Sequence, residues 1–235
     1  MVTELKQISI TAELFRLPPG NEAKKYSKKI DRALGFKIPQ VEQGLLKKYK
    51  AYYKLDESGK NKKHFSGTQT WIGLSPDVLQ TPYNEILEFL GLFLNNRPSK
   101  VVDLGAGYGR MGIVINALYP EALFEGYEII EERIDEARRI FDLHGLHNCS
   151  MFQDNILDPQ FEIPEADIFF IYDFSEPRDL MSIMKKLLAK QSRKSFFIIT
   201  KGEGLKSLIQ SHFPELLSGK GYYQRKEWSI FKLPH

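Results

Sequence analysis

The sequence contains one cysteine and no long hydrophobic run. Cys149 stands alone, so the chain cannot form an internal disulfide, which fits a reducing compartment. The longest apolar stretch, residues 86–94, is interrupted by Glu88 and is far shorter than the roughly 18 residues that cross a bilayer. The first residues lack the apolar run of a secretory leader. We therefore expect a cytoplasmic protein without a transmembrane segment.

Glycine and proline are not concentrated in repeats, which excludes the collagen-like and low-complexity classes. The 17 Gly and 12 Pro are spread along a chain that is 42% hydrophobic and 27% charged, as in ordinary globular proteins. A chain of 235 residues is long enough to bury one large core without disulfides.

Positive charge is concentrated near the N-terminus. Lys and Arg outnumber Asp and Glu in residues 1–70, acidic residues are in excess in the remainder, and the net charge is +3. A basic segment of this kind can bind an anionic partner such as nucleic acid, an acidic protein or a membrane surface. It can equally be the solvated face of ordinary helices. Both interpretations stay open at this point.

Residues 1–80 are expected to form a basic, mainly helical extension. Apolar residues recur at helical spacing over 21–55, and the break from Gly35 to Pro39 predicts two helices separated at Pro39. The polar stretch 57–67 is typical of a loop. We interpret 1–80 as a lid or substrate-recognition region.

A second region is expected to begin at residue 81. Thr81 offers an N-cap and Pro82 a first helical position, and apolar residues follow at helical spacing as far as Leu94. Beyond this helix, short apolar runs alternate with amphipathic helical segments. The predicted strands are 101–104, 123–127, 150–152, 168–172 and 196–200, followed by two extended pieces within 222–233. This rhythm predicts an α/β fold with a doubly wound, seven-stranded, mostly parallel sheet over residues 81–235.

Three glycines at alternate positions follow the first of these strands. The segment 101–109 reads VVDLGAGYG, and its strand ends at Asp103. Gly105, Gly107 and Gly109 allow a sharp turn and a close approach of the backbone to a ligand. Doubly wound sheets bind ligands at this edge. The spacing G-x-G-x-G differs from the G-x-G-x-x-G of dinucleotide-binding domains, so a nicotinamide-dependent dehydrogenase is only a remote alternative.

Acidic residues follow the next two strands. Glu128 lies about 20 residues beyond the glycines, where a carboxylate can accept both hydroxyls of a ribose. Asp154 and Asn155 follow the third strand. A carboxylate there can accept from an adenine amino group, although the Asp-Asn pair by itself is more typical of a turn.

With these elements, residues 82–233 resemble the class I, seven-stranded, Rossmann-like S-adenosylmethionine-dependent methyltransferases. The resemblance implies S-adenosylmethionine as cofactor, with Asp103 facing its methionine part, Glu128 its ribose and Asp154 its adenine. It also implies that Tyr172 lies beside the transferred methyl. The implied cofactor-binding residues are Asp103, Gly105, Ala106, Gly107, Gly109, Glu128, Ile129, Asp154, Asn155 and Tyr172.

One further feature of this chain is similar to that family and another departs from it. The extended pieces within 222–233 are similar to the family's closing antiparallel hairpin. Arg110, directly after the third glycine, is larger than the residue expected there. The chain therefore departs from the family's pattern at this position.

The segment Tyr172 to Pro177, after the fourth strand, corresponds to the family's substrate-facing residues. It lacks the Asn/Asp-Pro-Pro-Tyr/Phe sequence of amino-directed methyltransferases, which argues against methylation of a nucleic-acid base. The Asp-Asn pair of catechol-type O-methyltransferases is also missing, since the chain reads Thr200-Lys201-Gly202. One carboxylate supplies too few hard ligands for magnesium, so we expect no metal.

A weaker similarity connects this segment with seven-strand protein-lysine methyltransferases. A lysine ammonium could be attracted by Asp173 and Glu176 and enclosed by Tyr172 and Phe174. Alternatively, Glu176 and Pro177 simply begin the next helix. Asp173, orienting the acceptor, and Tyr172, shaping the site, are the predicted catalytic residues. The acceptor stays open between a protein lysine, a small molecule and RNA.

Other interpretations of the sequence remain. The chain could be a catalytically inactive, methyltransferase-like module that binds RNA or an acidic protein through its basic region. Trp71 could anchor the N-terminal region in the core or form a lid over the cofactor. His144, His147 and Cys149 are more typical of a loop than of a metal site, because no second cluster completes four ligands.

Overall fold

The computed structural model describes residues 8–49, 63–64, 68–69, 71–72, 80–93, 95–190, 195–219 and 221–233. Most of the predicted loop 57–67 lies outside these residues. Two short antiparallel strands, β1 (Lys63–His64) and β2 (Thr68–Gln69), are described in this region.

The main sheet has seven strands in the order β5-β4-β3-β6-β7-β9-β8. Neighbouring strands are parallel except where β9 pairs antiparallel with both β7 and β8. The predicted fold class is therefore confirmed, including the hairpin at one edge. The strands are β3 (Lys100–Leu104), β4 (Leu123–Glu128), β5 (Cys149–Gln153), β6 (Ile168–Tyr172), β7 (Phe196–Lys201), β8 (Tyr223–Arg225) and β9 (Trp228–Leu233).

Helices cover both faces of this sheet. Val101 and Val102, adjacent in β3, are fully buried in different hydrophobic clusters, because successive side chains of a strand point to opposite faces. One cluster contains residues of α1, α3, α4 and α5, and the other contains residues of α6 and α7. The helices are α1 (Ala23–Leu34), α2 (Ile38–Lys48), α3 (Tyr83–Gly91), α4 (Arg110–Leu118), α5 (Glu131–Leu143), α6 (Pro177–Leu188) and α7 (Glu203–His212), with 3-10 turns at Ala12–Phe15 and Pro214–Leu217.

Two predicted helix boundaries are wrong by a few residues. The break between α1 and α2 falls at Gly35, which has φ of 86°, and Pro39 lies inside the first turn of α2. A left-handed glycine ends a helix, whereas the fixed φ of proline suits a helix start. Pro82, rather than Thr81, is the N-cap of α3. Leu94, assigned to this helix from its spacing, lies outside the described residues.

The N-terminal helices pack directly on the sheet-bearing part of the chain. Phe15, Ile30 and Leu34 are almost completely buried in the same cluster as residues of α3 and β3. The Phe15 ring stacks on that of Tyr83 with centroids 5.1 Å apart. In the part of the chain described, no helix is both long and apolar enough to cross a membrane.

Candidate functional site

The turn after β3 carries the predicted glycine loop, residues 105–109. Gly105, Gly107 and Gly109 have φ of 95°, 53° and 68°, which side-chain-bearing residues rarely adopt. The backbone N–H groups of Gly105 and Ala106 both donate to the Tyr127 carbonyl at 2.9 Å, which fixes the loop against the end of β4. The loop therefore needs its glycines to turn where it does.

Asp103 lies beneath this loop at the end of β3 and lines a pocket. Its side chain is buried, and its Oδ1 atom has no hydrogen-bond partner among the described residues. Burial, assisted by the nearby charge of Glu128, raises the pKa of Asp103 well above its ordinary value. An isolated buried carboxylate is costly, so this oxygen is suited to a ligand that carries a donor or a positive charge.

Glu128 connects the end of β4 with the glycine loop. Its Oε2 accepts from the N–H of Gly107 at 2.9 Å, and its Oε1 accepts from Ile129 and Ile130 at 2.9 and 3.0 Å. The carboxylate is buried and its orientation is fixed by these donors. The structure thus brings the acidic residue and the loop together, as their spacing predicted.

Asp154 and Asn155 follow β5, next to Glu128. The N–H of Asp154 donates to the Glu128 carbonyl at 3.1 Å, and the Asp154 side chain is exposed. The Asn155 Oδ1 accepts from the N–H of Leu157 at 3.1 Å, which is an Asx turn. The pair therefore forms a turn, and its contact with a nucleotide base stays a prediction.

The two predicted catalytic residues lie at the end of β6, Tyr172 as its last residue and Asp173 directly after it, but they differ in their surroundings. Tyr172 lines the pocket with Asp103, and its pKa is raised by burial and by the charges of Glu227, Asp173 and Glu85. Asp173 is half-buried, and its Oδ2 accepts from the N–H of Gly204 at 2.8 Å, at the start of α7. Burial raises the pKa of Asp173, and the Gly204 N–H opposes the rise.

The segment after Asp173 begins helix α6 and brings Phe174 to the glycine loop. Glu176 is the N-cap of α6 and Pro177 its first residue, as expected for a simple helix start. Phe174 lies over the glycine loop, 3.6 Å from the position that a Cβ of Gly105 would occupy. The Trp71 Nε1–H donates to the Phe174 carbonyl, so Trp71 reaches this loop. Whether Trp71 acts as a lid stays a prediction.

Several pocket residues were not singled out by the sequence. Gln80 is buried and neither atom of its amide has a partner among the described residues. The sequence could not have identified Gln80 as a pocket residue, because nothing in the neighbouring sequence distinguishes it from a surface glutamine. Arg110 did stand out, by its size after the third glycine. The pocket residues that were missed or not assigned to the site are Gln80, Thr81, Ile86, Tyr108, Arg110, Met111 and Phe170.

The histidines and the cysteine of residues 144–149 make other contacts. His144 is the C-cap of α5, and its Nε2 lies 2.9 Å from the Leu34 carbonyl. The Cys149 thiol donates to the Gly112 carbonyl at 3.3 Å. Among the residues that the structure describes, no three His, Cys, Asp or Glu side chains are arranged to hold a metal ion.

Similar proteins occur among curated sequences and solved structures. A curated protein, an uncharacterised RNA methyltransferase of Clostridium acetobutylicum, is 30% identical over 106 residues, covering 45% of this chain and 22% of that protein. An O-methyltransferase family protein from Burkholderia thailandensis has a TM-score of 0.48 at 14% identity, covering 65% of this chain and 56% of that chain. An RNA methyltransferase from Salinibacter ruber in complex with S-adenosyl-L-homocysteine has a TM-score of 0.46 at 15% identity, covering 68% of this chain and 92% of that chain.

This chain thus spans only about a fifth of the curated relative that it matches, 22% of its length. The model of the methyltransferase-domain family matches residues 95–225, which include β3 to β8 and the glycine loop. The resemblance noted from the Asp103 motif is confirmed by this match. The chain belongs to the methyltransferase-domain family, and its sheet is that of a class I methyltransferase.

Proposed function

We propose that the protein is an S-adenosylmethionine-dependent methyltransferase that binds its cofactor along the glycine loop. The observation that carries this proposal is the buried Asp103 carboxylate, whose Oδ1 faces no protein donor in the described structure. S-adenosylmethionine carries an ammonium group and a sulfonium, which suit such an oxygen. Asp103 would face the methionine part and Glu128 the ribose, with Ile129, Asp154 and Asn155 on the adenine side.

The geometry of the loop also fits a bound nucleoside. A Cβ placed on Gly107 would meet no atom within 4 Å, so space is open above this residue. Glu128 already accepts from Gly107, Ile129 and Ile130. A carboxylate oxygen has two lone-pair sites, so the two donors on Oε1 fill that oxygen, whereas Oε2, with one donor, keeps a site for a ribose hydroxyl.

When bound, S-adenosylmethionine supplies an activated methyl group on a positively charged sulfur. The chain has to hold the acceptor in line and to exclude water, which is worth on the order of 7 to 11 kcal/mol when the alignment is good. Tyr172 forms part of the pocket wall, while Phe174 lies over Gly105 and its carbonyl accepts from Trp71. These aromatic groups would restrict the entry of water.

As acceptor class we propose an amine that carries positive charge in solution, such as a protein lysine. Burial and the carboxylates of Glu227, Asp173 and Glu85 raise the pKa of Tyr172. Lys201 pairs with Glu85, so the carboxylates at this end of the pocket exceed the positive charge of Lys201. Tyr172 and Phe174 add aromatic groups suited to an ammonium. Lysine has a reference pKa of roughly 10.4, so it must lose a proton before methylation. Asp173, fixed by Gly204, would orient it.

RNA is a second candidate acceptor, favoured by a different observation. The curated relative is an RNA methyltransferase, and the outer faces of α1 and α2 carry exposed basic residues. Phosphates could contact this surface without a base contact. The exposed basic residues of the two helices are Lys24, Lys25, Lys28, Lys29, Arg32, Lys47 and Lys48. The cytoplasmic location expected from the sequence stays a prediction.

Calorimetric titration tests the cofactor. The wild-type protein should bind S-adenosylhomocysteine with a micromolar Kd and should not bind NAD. Glu128→Gln should weaken S-adenosylhomocysteine by about tenfold or more, because it removes a charged hydrogen-bond acceptor. Glu125→Gln is the matched control on the same strand, since Glu125 pairs with Lys100 at 2.6 Å, whereas Glu128 accepts from Gly107 of the glycine loop. Binding of NAD alone would support the dehydrogenase instead.

Transfer of labelled methyl groups tests the acceptor. The purified protein is incubated with labelled S-adenosylmethionine and either a set of lysine-containing proteins or total RNA. We expect label in protein, and its loss when the acceptor lysines are acetylated beforehand. Label in RNA alone would favour the second candidate. S-adenosylhomocysteine binding without transfer to either acceptor class would favour the inactive binding module.

A further inference from the structure

Asp31 of helix α1 is a buried carboxylate that contacts Arg110 on one side of Gly109. Asp31 accepts from the Arg110 Nε at 3.1 Å and also pairs with its Nη2. Arg110 is the first residue of α4, directly after Gly109, and its Nη1 donates to the Thr81 carbonyl at 3.2 Å. The Tyr83 hydroxyl donates to Asp31 at 2.9 Å. The large residue that departs from the family's pattern is therefore the anchor of an ion pair with α1.

Glu42 of helix α2 is a second buried carboxylate, and it contacts Tyr108 on the other side of Gly109. Glu42 accepts from the Tyr108 hydroxyl at 2.7 Å and from the Arg133 Nε at 2.9 Å. Burial lowers the pKa of Arg133, but the charges of Glu128 and Glu42 raise it above its ordinary value. One buried cluster thus connects α2 with the loop and with Glu128.

These two contacts differ from the other polar contacts that dock the N-terminal helices. Glu136 on α5 accepts from the backbone N–H of Lys37 and from Arg139. Arg139 also donates to the Gly35 carbonyl at 2.6 Å. These groups join the same helices to α5 and lie outside the pocket lining, so docking alone does not require a contact with the loop.

We propose that Asp31 and Glu42 are positioning residues for the cofactor site. They hold Arg110 and Tyr108 on the two sides of Gly109, and so fix the loop in its binding conformation. Docking of α1 and α2 and binding of S-adenosylmethionine then favour each other by the same factor, since linkage between two binding equilibria is reciprocal. This inference rests on the proposed function.

The proposed coupling between the cofactor site and helices α1 and α2 can be measured because the pocket lining includes no residue of these helices. The lining residues belong to α3, α4, β3, β6, the glycine loop and the segment before α3. A ligand there would touch neither N-terminal helix directly. An effect of the ligand on α1 would therefore pass through the loop. A second route leads to α2, because Ile130 shares a buried cluster with Leu45 and Ile129 packs against that cluster.

Hydrogen exchange on the wild-type protein gives the first test. Adding S-adenosylhomocysteine should slow amide exchange in α1 and α2 by about fivefold or more, within the usual range of coupling between sites. Amides of α7, which packs on the opposite face of the sheet, serve as the internal comparison and should slow less. Unchanged exchange in α1 and α2 with saturating ligand would overturn the inference.

Matched variants give the second test. Asp31→Asn and Glu42→Gln should each raise the Kd for S-adenosylhomocysteine by about fivefold or more. Glu136→Gln weakens docking of the same helices away from the loop, so it should lower Tm while changing this Kd less than about twofold. Equal Kd values for Glu42→Gln and Glu136→Gln would overturn the inference.

The two proposals can be separated by these outcomes. If Asp31→Asn does not fold, Glu42→Gln and the wild-type exchange data decide between a positioning role and simple packing. If the wild-type protein binds S-adenosylhomocysteine but Glu42→Gln binds it equally well, only the positioning role fails. If the wild type does not bind it, the cofactor assignment fails and the positioning role with it.

Discussion

At the scale of single residues, Asp103 is a carboxylate in surroundings that oppose its charge. Its place at the end of the first predicted strand and before three glycines was visible in the sequence, as was the distance to Glu128. The sequence did not show that the Asp103 Oδ1 lacks a partner among the described residues, because its burial depends on residues from several elements. The same holds for Asp31 and Arg110, which are 79 positions apart and leave no local pattern.

The pKa of Asp103 has a consequence for stability. The unfolded carboxyl releases its proton near its reference pKa of about 3.9, while the folded one retains it to higher pH. Between these two pKa values the folded state binds more protons, so this residue lowers the free energy of unfolding as pH rises.

Asp103→Asn should therefore be more stable than the wild type without ligand, with a difference in Tm that grows as pH rises above about 4. It should bind S-adenosylhomocysteine more weakly, by about tenfold or more, because a charged hydrogen bond is lost. Thermal unfolding from pH 4 to 8 and calorimetry at pH 7.5 measure these effects. A constant difference in Tm across this range would contradict the raised pKa.

At the scale of elements, the strands were predictable because those buried on both faces are continuous apolar runs. Every strand of the parallel part was found within one or two residues. Helix ends were less predictable, since Gly35 and Pro39 both interrupt a helical pattern and only the backbone shows which one ends α1. The sequence also did not show that β4 approaches the glycine loop closely at Gly126.

Gly126→Ala tests this approach. An added Cβ would lie 2.6 Å from the Met151 Sδ and 2.8 Å from the Ala106 Cβ, so β4, β5 and the loop would have to move apart. We expect a loss of stability of about 1 to 3 kcal/mol, as for other overpacked cores, and weaker binding of S-adenosylhomocysteine.

The matched control is Gly44→Ala on α2. Gly44 is exposed within the helix, and an added Cβ would meet no atom within 4 Å. This variant should gain about 0.5 to 1 kcal/mol, because glycine is entropically unfavourable in a helix. Denaturant unfolding measures both variants. Equal stabilities of Gly126→Ala and the wild type would show that the contact between β4 and the loop is loose.

At the scale of the whole molecule, the basic N-terminal region and the sheet share one hydrophobic cluster. The charge asymmetry was evident from the sequence, but the fate of the acidic residues was not. Asp31 and Glu42 are buried against the core, whereas the lysines of α1 are exposed. The outer surface of these helices is therefore more basic than the composition of the segment. The division at residue 80 stays a prediction about function.

Shared packing predicts that both regions unfold together. Helical circular dichroism and the fluorescence of Trp71 and Trp228 should give one midpoint in urea, because Trp71 reports on the N-terminal region and Trp228 on the sheet. Trp71→Phe and Trp228→Phe isolate the two signals. Separate midpoints in these variants would contradict a single cooperative unit.

Binding of S-adenosylmethionine between Asp103 and Glu128 is the central claim about the whole molecule. A crystal structure of the protein with S-adenosylhomocysteine tests it most directly. We predict ligand density along the glycine loop, with the amino-acid part at Asp103 and a ribose hydroxyl hydrogen-bonded to the Glu128 Oε2. Density away from the loop, or a ribose that does not contact Glu128, would contradict this assignment.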